Sequence, residues 1–279
     1  MRQFTLFIQK KVFNTRFISY LCAQILNKQS SCVFGMVIKR MLFIVWLVLV
    51  PLSVLGKIYA VLVGVSEYES STDNLTYCHQ DAIEMYELFK EHTTPERMKL
   101  LTDRQAKHDN IVYCTRQLFR QAQPDDMVLF FFSGHGTDNM FFTHDKALHF
   151  STLQSIFRQC KARRKLIFAD ACFAGTLRQP GNRATPNHVN LGNNVLLFLS
   201  SRSNQYSRES SSLRNGLFTY FLLAGLKGGA DANRDGYITA RELFNFVYPK
   251  VRERSDDRQI PVMWGKFDEN MIILRRQRQ

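Results

Sequence analysis

Short apolar runs alternate with polar segments from residue 58 onward. Five of them, at 58–65, 98–101, 127–133, 166–169 and 195–200, are bounded by turn-forming or charged residues. Runs of this length between breakers are typical of buried strands. A sixth run at 271–274 predicts an edge strand.

Apolar residues recur at helical spacing between these runs. The pattern predicts helices over 81–91, 109–121, 151–161, 216–225 and 243–251. Ser151, with Gln154 three residues later, resembles a capping box at the start of the third helix. Strands that alternate with helices predict an α/β fold, with a mostly parallel central sheet and helices on both faces.

The segment before the first strand has the pattern of a secretory signal. Residues 39–40 are basic, an apolar run follows from Met41, and small residues end it near Gly56. Residues 41–56 therefore predict a signal peptide, or a membrane anchor if they are not cleaved. Met41 is well placed as the start, which makes residues 1–40 a doubtful upstream extension. The expected location is secreted or periplasmic, or membrane-anchored through residues 41–56 alone.

The charge of the chain is concentrated at its beginning. The formal net charge of the 279 residues is +13, but eight Lys and Arg residues precede the first acid, Glu67, so the remainder carries +5. No basic helix with interleaved aromatic residues follows, and we expect no nucleic-acid partner. The GxGxxG and GxxxxGK[ST] motifs are absent, which removes the main support for nucleotide binding. Six cysteines are too few in a chain of this length for a disulfide scaffold. Because their spacing does not match a zinc motif, we expect no structural zinc site.

A thiol and an imidazole follow two of the predicted strands. The run 166–169 is followed by Asp170 and then Cys172, and the run 127–133 is followed by His135 between two glycines. Because open parallel sheets place their sites at the carboxyl ends of strands, the two side chains suit a Cys–His pair. The imidazole would take the thiol proton, and the thiolate would be the nucleophile.

Residues 231–242 match the twelve-residue calcium loop position by position. The candidate ligands are Asp231, Asn233, Asp235, Tyr237, Thr239 and Glu242. A competing explanation is that Thr239 and Glu242 form a capping box for the last helix, with Gly236 serving a turn. The sequence leaves both explanations open. We therefore expect no required cofactor and keep calcium as a candidate ligand of this loop.

Several motifs, in order, carry a resemblance to a known family. They are YAVLVGVSEY (59–68), CHQDA (78–82), FFFSGHG (130–136), DACFAG (170–175), RNGLFTYFLLAGLKGGAD (214–231) and QIP (259–261). Over roughly residues 58–265 the chain resembles the caspase-like cysteine peptidases, and among them the metacaspase-like bacterial branch.

The resemblance implies a three-layer caspase-like domain at 57–279. Its large segment would span about 57–176, an exposed loop 176–194, and a small segment about 195–279 that contains the EF-hand-like loop. Cys172 would be the nucleophile and His135 the base. The main-chain N–H groups of Gly136 and Cys172 would form the oxyanion hole.

The resemblance also implies the substrate. In metacaspase-like members, acids at the positions of Asp81 and Asp170, with Ser133 beside them, line a pocket for arginine or lysine. The alternative for Asp81 is an acid that stabilises a helix N-terminus. Basic specificity would make Arg178 and Arg183 self-cleavage sites, unless they belong to a plain solvated loop.

We therefore expect a cysteine-type endopeptidase that cleaves after Arg or Lys in proteins or peptides. The sequence indicates no oligomeric state. Two alternatives stay open, namely a catalytically silent caspase-like interaction module, responsive to calcium or not, and a thiol or α/β hydrolase with a small-molecule substrate.

Overall fold

From residue 58 onward, the strands and helices that the apolar pattern predicts follow in the expected order. The computed structural model describes residues 56–70, 74–137, 139–171, 194–200, 209–210 and 214–276. Residues 1–55, Cys172, Arg178, Arg183 and the rest of the loop up to residue 193 lie outside the described residues, as do the predictions made for them.

The strands are β1 (Ile58–Gly64), β2 (Met98–Thr102), β3 (Met127–Ser133), β4 (Gly136–Thr137), β5 (Met140–Phe142), β6 (Ala147–His149), β7 (Arg164–Asp170), β8 (Val195–Leu199), β9 (Glu209–Ser210), β10 (Asn215–Gly216), β11 (Tyr237–Thr239), β12 (Val262–Trp264) and β13 (Ile272–Arg275). The α-helices are α1 (Cys78–Lys90), α2 (His108–Phe119), α3 (Phe150–Gln159), α4 (Leu217–Ala224) and α5 (Ala240–Arg254). Short 3-10 turns cover Pro95–Arg97 and Asp103–Gln105, and a π-helical turn, Gly225–Gly229, follows α4.

Six strands form the central sheet in the order β12-β8-β7-β3-β1-β2. All neighbours are parallel except β12, which pairs antiparallel with β8 at one edge. The sheet is therefore mostly parallel, as predicted. In the register of the sheet, Gly64 pairs with Ser133 and Ser133 pairs with Asp170. The carboxyl ends of β1, β3 and β7 thus lie side by side.

Helices cover both faces of this sheet. Phe130 and Phe132 of β3 belong to one buried cluster that includes apolar side chains of α2 and α3. Leu129 and Phe131 belong to a second cluster with side chains of α1, α4 and α5. Because successive side chains of a strand point to opposite faces, this alternation gives three layers, helix, sheet and helix. The sequence of β3 is a continuous apolar run because both faces of this strand are buried.

In the described part of the chain, three smaller sheets accompany the central one: β4-β5-β6, β9-β10 and β11-β13. The edge strand expected at 271–274 corresponds to β13, which pairs with β11 in a two-stranded sheet of its own. The capping box expected at Ser151 is wrong. The helix α3 begins at Phe150 after His149, and no side chain caps it. Among the residues described between 56 and 276, no helix combines the length and apolar character needed to cross a membrane.

Candidate active site

The turn that carries His135 is built directly on the ends of the central strands. The N–H of Gly134 donates to the carbonyl of Asp170 over 3.2 Å, and the N–H of Val65 donates to the carbonyl of Ser133 over 2.9 Å. The carbonyl of His135 accepts from Phe142 of β5 over 2.9 Å. The imidazole is thus placed at the edge of the sheet where β7 ends.

Tyr68, from the segment after β1, makes two contacts with His135. Its hydroxyl accepts the main-chain N–H of His135 over 2.8 Å, and its ring centroid lies 5.0 Å from that of the imidazole, with the planes tilted by 36°. A Cβ atom on Gly134 would lie 2.9 Å from the tyrosine hydroxyl, and Gly134 has a φ of +156°. A glycine is needed at this position because a side chain would push the hydroxyl away.

Gly136 directs its N–H away from the neighbouring strand. Gly136 pairs with Phe141 in the antiparallel β4–β5 ladder, while the adjacent His135–Phe142 position carries the hydrogen bond. Hydrogen-bonded and non-hydrogen-bonded pairs alternate in such a ladder, so Gly136 is in a non-hydrogen-bonded pair. Because β4 is an edge strand of its sheet, the N–H of Gly136 points to the side of β4 that faces away from β5. This geometry suits the oxyanion role predicted for Gly136.

Ser200 fixes the residue that precedes Cys172. The buried hydroxyl of Ser200 donates to the carbonyl of Ala171 and accepts its N–H, both over 3.1 Å. The N–H of Ser200 donates to the carbonyl of Ala169 over 2.9 Å. The chain therefore leaves β7 on a defined course, although Cys172 itself lies outside the described residues.

Asp81 of α1 is buried, with 1% of its surface exposed. Its Oδ2 accepts from the hydroxyl of Ser133 over 2.7 Å. Its Oδ1 accepts from the Asn215 side chain over 3.1 Å and from the Gly216 N–H over 3.0 Å. The partners of Asp81 therefore come from β3 and β10, which lie on opposite sides of residues 172–193 in the chain.

Asp170, at the end of β7, is 4% exposed and lies beside Asp81. Its Oδ2 accepts from both the N–H and the hydroxyl of Thr219, over 3.0 and 2.9 Å. A Cβ atom on Gly216 would lie 2.2 Å from Oδ2 of Asp170 and 3.0 Å from Oδ2 of Asp81. The two carboxylates thus meet at Gly216. We call Asp81, Ser133, Asp170, Asn215, Gly216 and Thr219 the acid cluster.

The electrostatics of the acid cluster favour a proton on Asp81. Its burial, and secondly the charge of Asp170, raise the pKa of Asp81 well above its ordinary value, although three hydrogen bonds oppose the rise. No ion pair among the described residues includes Asp81. Burial favours the neutral form of a carboxyl, whereas a nearby positive charge favours the ionised form.

The loop 231–242 has the local hydrogen bonds of a folded turn and of a helix cap. Asp231 Oδ2 accepts from Gly236 N–H over 3.2 Å, and Asn233 Oδ1 accepts from Asp235 N–H over 2.9 Å. Thr239 and Glu242 form the capping box of α5, with both reciprocal bonds present. In the described part of the chain, no three or more His, Cys, Asp or Glu residues are grouped so as to hold a metal ion. Calcium binding by this loop stays a prediction.

Comparison with known proteins assigns the family. The family model for the caspase domain of peptidase family C14 matches residues 57–271. The chain belongs to the caspase-domain family. This is a family of cysteine peptidases. No curated protein matches the chain.

Two solved structures are similar in fold to this chain. One is caspase-1 from Spodoptera frugiperda, with a TM-score of 0.62, 16% identity, and coverage of 81% of this chain and 92% of that chain. The other is a protein from Geobacter sulfurreducens, with a TM-score of 0.59, 18% identity, and coverage of 76% of this chain and 94% of that chain. At these identities the likeness establishes the fold alone.

Of the predicted site residues, the structure brings Asp81, Ser133 and Asp170 together, and it places His135 and Gly136 at the same edge of the sheet. Five further residues of the site had no role predicted from the sequence: Asn215, Gly216, Thr219, Tyr68 and Ser200. The first three lie within the family motif 214–231 and Tyr68 ends the family motif 59–68, and these motifs were the only signal for them.

Proposed function

We propose that this caspase-domain protein is an endopeptidase that cleaves peptide bonds after arginine or lysine through Cys172 and His135. The observation that supports basic specificity is the acid cluster, in which two buried carboxyls converge on Gly216 next to the His135 turn. A caspase that cleaves after aspartate would need cationic side chains in this place.

The cluster is suited to an arginine or lysine side chain before the scissile bond. A guanidinium or ammonium group supplies the positive charge that Asp81 lacks among the described residues, and charged hydrogen bonds to carboxylates are strong. Asp81 would lose its proton as the cation enters, since an opposite charge within a few Å favours the ionised form. Ser133 would hold the Asp81 carboxylate in place.

The chemical step assigned to this site is acyl transfer to sulfur. His135 takes the proton of Cys172, and the thiolate attacks the carbonyl carbon. The resulting oxyanion receives the N–H groups of Gly136 and Cys172, which stabilise charge that develops only in the transition state. His135 then protonates the leaving amine, and water hydrolyses the thiol ester.

The test is a panel of fluorogenic peptides that differ in the residue before the scissile bond: Arg, Lys, Asp or Leu. We expect wild-type protein to cleave the Arg and Lys peptides, and Cys172→Ala to lose this activity. The matched control is Cys114→Ala, which removes a partly exposed thiol of α2. Cleavage after Asp or Leu with equal efficiency would refute the basic pocket. No cleavage of any peptide would favour the catalytically silent interaction module.

A further inference from the structure

The segment that presents Tyr68 to His135 is held by its main chain. Asp103 Oδ1 accepts the N–H groups of Ser66 and Glu67 over 2.8 and 2.9 Å. The N–H of Tyr68 donates to Asn74 Oδ1 over 2.9 Å. The next residue, Glu69, donates its N–H to the carbonyl of His144 over 3.1 Å. The backbone of residues 66–69 is thus fixed, and it positions the side chain of Tyr68 against His135.

Two elements hold the main chain of His135. Its carbonyl accepts from the N–H of Phe142 in β5. Its N–H donates to the hydroxyl of Tyr68. The backbone of the histidine is therefore fixed by Tyr68 as well as by the β4–β5 hairpin.

The ring of Tyr68 acts on the imidazole itself. With 5.0 Å between the centroids and a tilt of 36°, the ring restricts the rotation of the His135 side chain from one side. The hydroxyl and the ring thus constrain two different parts of the same residue.

We propose that Tyr68 is a positioning residue that holds His135 in the orientation needed to take and return the proton of Cys172. This inference rests on the proposed Cys172–His135 pair. Tyr68 itself transfers no proton. It acts by keeping the imidazole within reach of the sulfur, and small displacements of a catalytic group are costly to the rate.

The experiment compares Tyr68→Phe and Tyr68→Leu with wild type, and uses Tyr113→Phe as the control because Tyr113 is 64% exposed on α2. Kinetics with an Arg peptide are normalised to the iodoacetamide-reactive Cys172 in each preparation. We expect Tyr68→Phe to lower kcat roughly tenfold to a hundredfold. KM should change less than twofold, since the contacts of Tyr68 described above do not include Asp81 or Asp170. Tyr68→Leu, which also removes the ring, should lower kcat further.

A second readout does not depend on peptide cleavage. The rate of Cys172 alkylation is followed between pH 5 and 9, taken as roughly the range in which a histidine-paired thiolate forms. His135→Ala gives the profile of the isolated thiol. We expect Tyr68→Leu to move the wild-type profile toward that of His135→Ala, and Tyr113→Phe to leave it in place. If Tyr68 only stabilised the fold, Tyr68→Leu would change the fraction of molecules whose Cys172 reacts. It would not change the pH dependence of the alkylation rate.

The outcomes separate this inference from the proposed function. If Arg peptides are cleaved and both Tyr68 variants match Tyr113→Phe, the positioning role is refuted and the peptidase stands. If no peptide is cleaved but alkylation depends on His135 and Tyr68, the positioning role stands and the peptidase proposal fails. If alkylation of wild type does not depend on His135, both fail.

Discussion

Gly216 approaches Asp170 so closely that a Cβ atom on the glycine would lie 2.2 Å from Oδ2 of the acid. Asp170 cannot easily retreat, because two groups of Thr219 bind the same oxygen. Gly216 also donates to Asp81. One small residue therefore allows both carboxyls to lie within the acid cluster.

We expect Gly216→Ala to disrupt the acid cluster. The added methyl group should cost roughly 1–3 kcal/mol of folding free energy, as overpacking of buried sites does. It should also displace Asp170 and lower kcat/KM for Arg peptides more than it lowers the rate of Cys172 alkylation. Thermal unfolding measures the loss of stability, and the peptide cleavage and alkylation rates measure the effect on the site. Equal losses in both rates would show that the damage is not confined to the pocket.

Asp81→Asn should stabilise the protein at neutral pH. The amide can keep the same partners, with its oxygen toward Asn215 and Gly216 and its nitrogen toward the Ser133 hydroxyl. Because burial raises the pKa of Asp81, the folded wild type binds a proton that the unfolded chain has lost above about pH 4. The free energy of unfolding of wild type should therefore fall as pH rises through this window, by up to about 1.4 kcal/mol per pH unit.

The measurement is denaturant unfolding of wild type and Asp81→Asn at several pH values from 4 to 8, spanning roughly the range from the unfolded acid's pKa to neutrality. We expect the difference between the two proteins to grow with pH in favour of the variant. A constant difference would show that Asp81 does not hold an extra proton in the fold. Ser133→Ala is a useful companion, since it removes one donor to Asp81 without changing the charge.

Binding of a small amidine such as benzamidine should release a proton from the acid cluster. The cation favours ionised Asp81, whereas the empty cluster favours the neutral acid. Affinity should therefore rise with pH. Calorimetry in two buffers of different ionisation enthalpy should show up to about one proton released per ligand. Asp81→Asn should bind weakly and release none, and equal release by both proteins would contradict the assignment.

One pair of variants distinguishes the two explanations of the loop 231–242, a calcium site and a helix cap. Thr239→Val removes the cap of α5 and should cost about 1 kcal/mol of folding free energy in the presence of chelator. Glu242→Gln keeps an oxygen for the N–H of Thr239, so its stability in chelator should stay close to wild type. Thermal unfolding gives both values.

Calcium is then added to the same samples. A calcium loop needs the carboxylate of its last position. A rise in Tm for wild type that is absent in Glu242→Gln would therefore assign calcium to the loop. Identical curves with and without calcium would leave Thr239 and Glu242 as a helix cap alone.

The central sheet could be predicted because its parallel strands are buried on both faces, which gives long apolar runs such as Met127–Ser133. The antiparallel strand β12 was missed because its apolar run, Val262–Trp264, has only three residues, each partly buried, and follows directly on Pro261. Ser151 was misjudged because the first residue of a capping box must itself have a non-helical backbone, and here the helix begins at Phe150, so that Ser151 already lies within it.

The site was predictable only as far as its motifs are local. The Ser-Gly-His-Gly turn and Asp170 stand at strand ends, which sequence can locate. The contact of Gly216 with Asp81 spans 135 residues, and that of Tyr68 with His135 spans 67. Such pairs depend on the assembled sheet, and their residue types carry no mark of the partner.

The pairing of β7 with β8 has a consequence for the integrity of the molecule. These parallel neighbours share five register positions, and they flank the segment that contains Arg178 and Arg183. If the chain were cut there, the pieces would remain joined through the middle of the sheet, with Asp170 on one piece and its partner Thr219 on the other. Two bands on a denaturing gel would then correspond to one particle in solution, in which the Asp170–Thr219 contact of the acid cluster is kept.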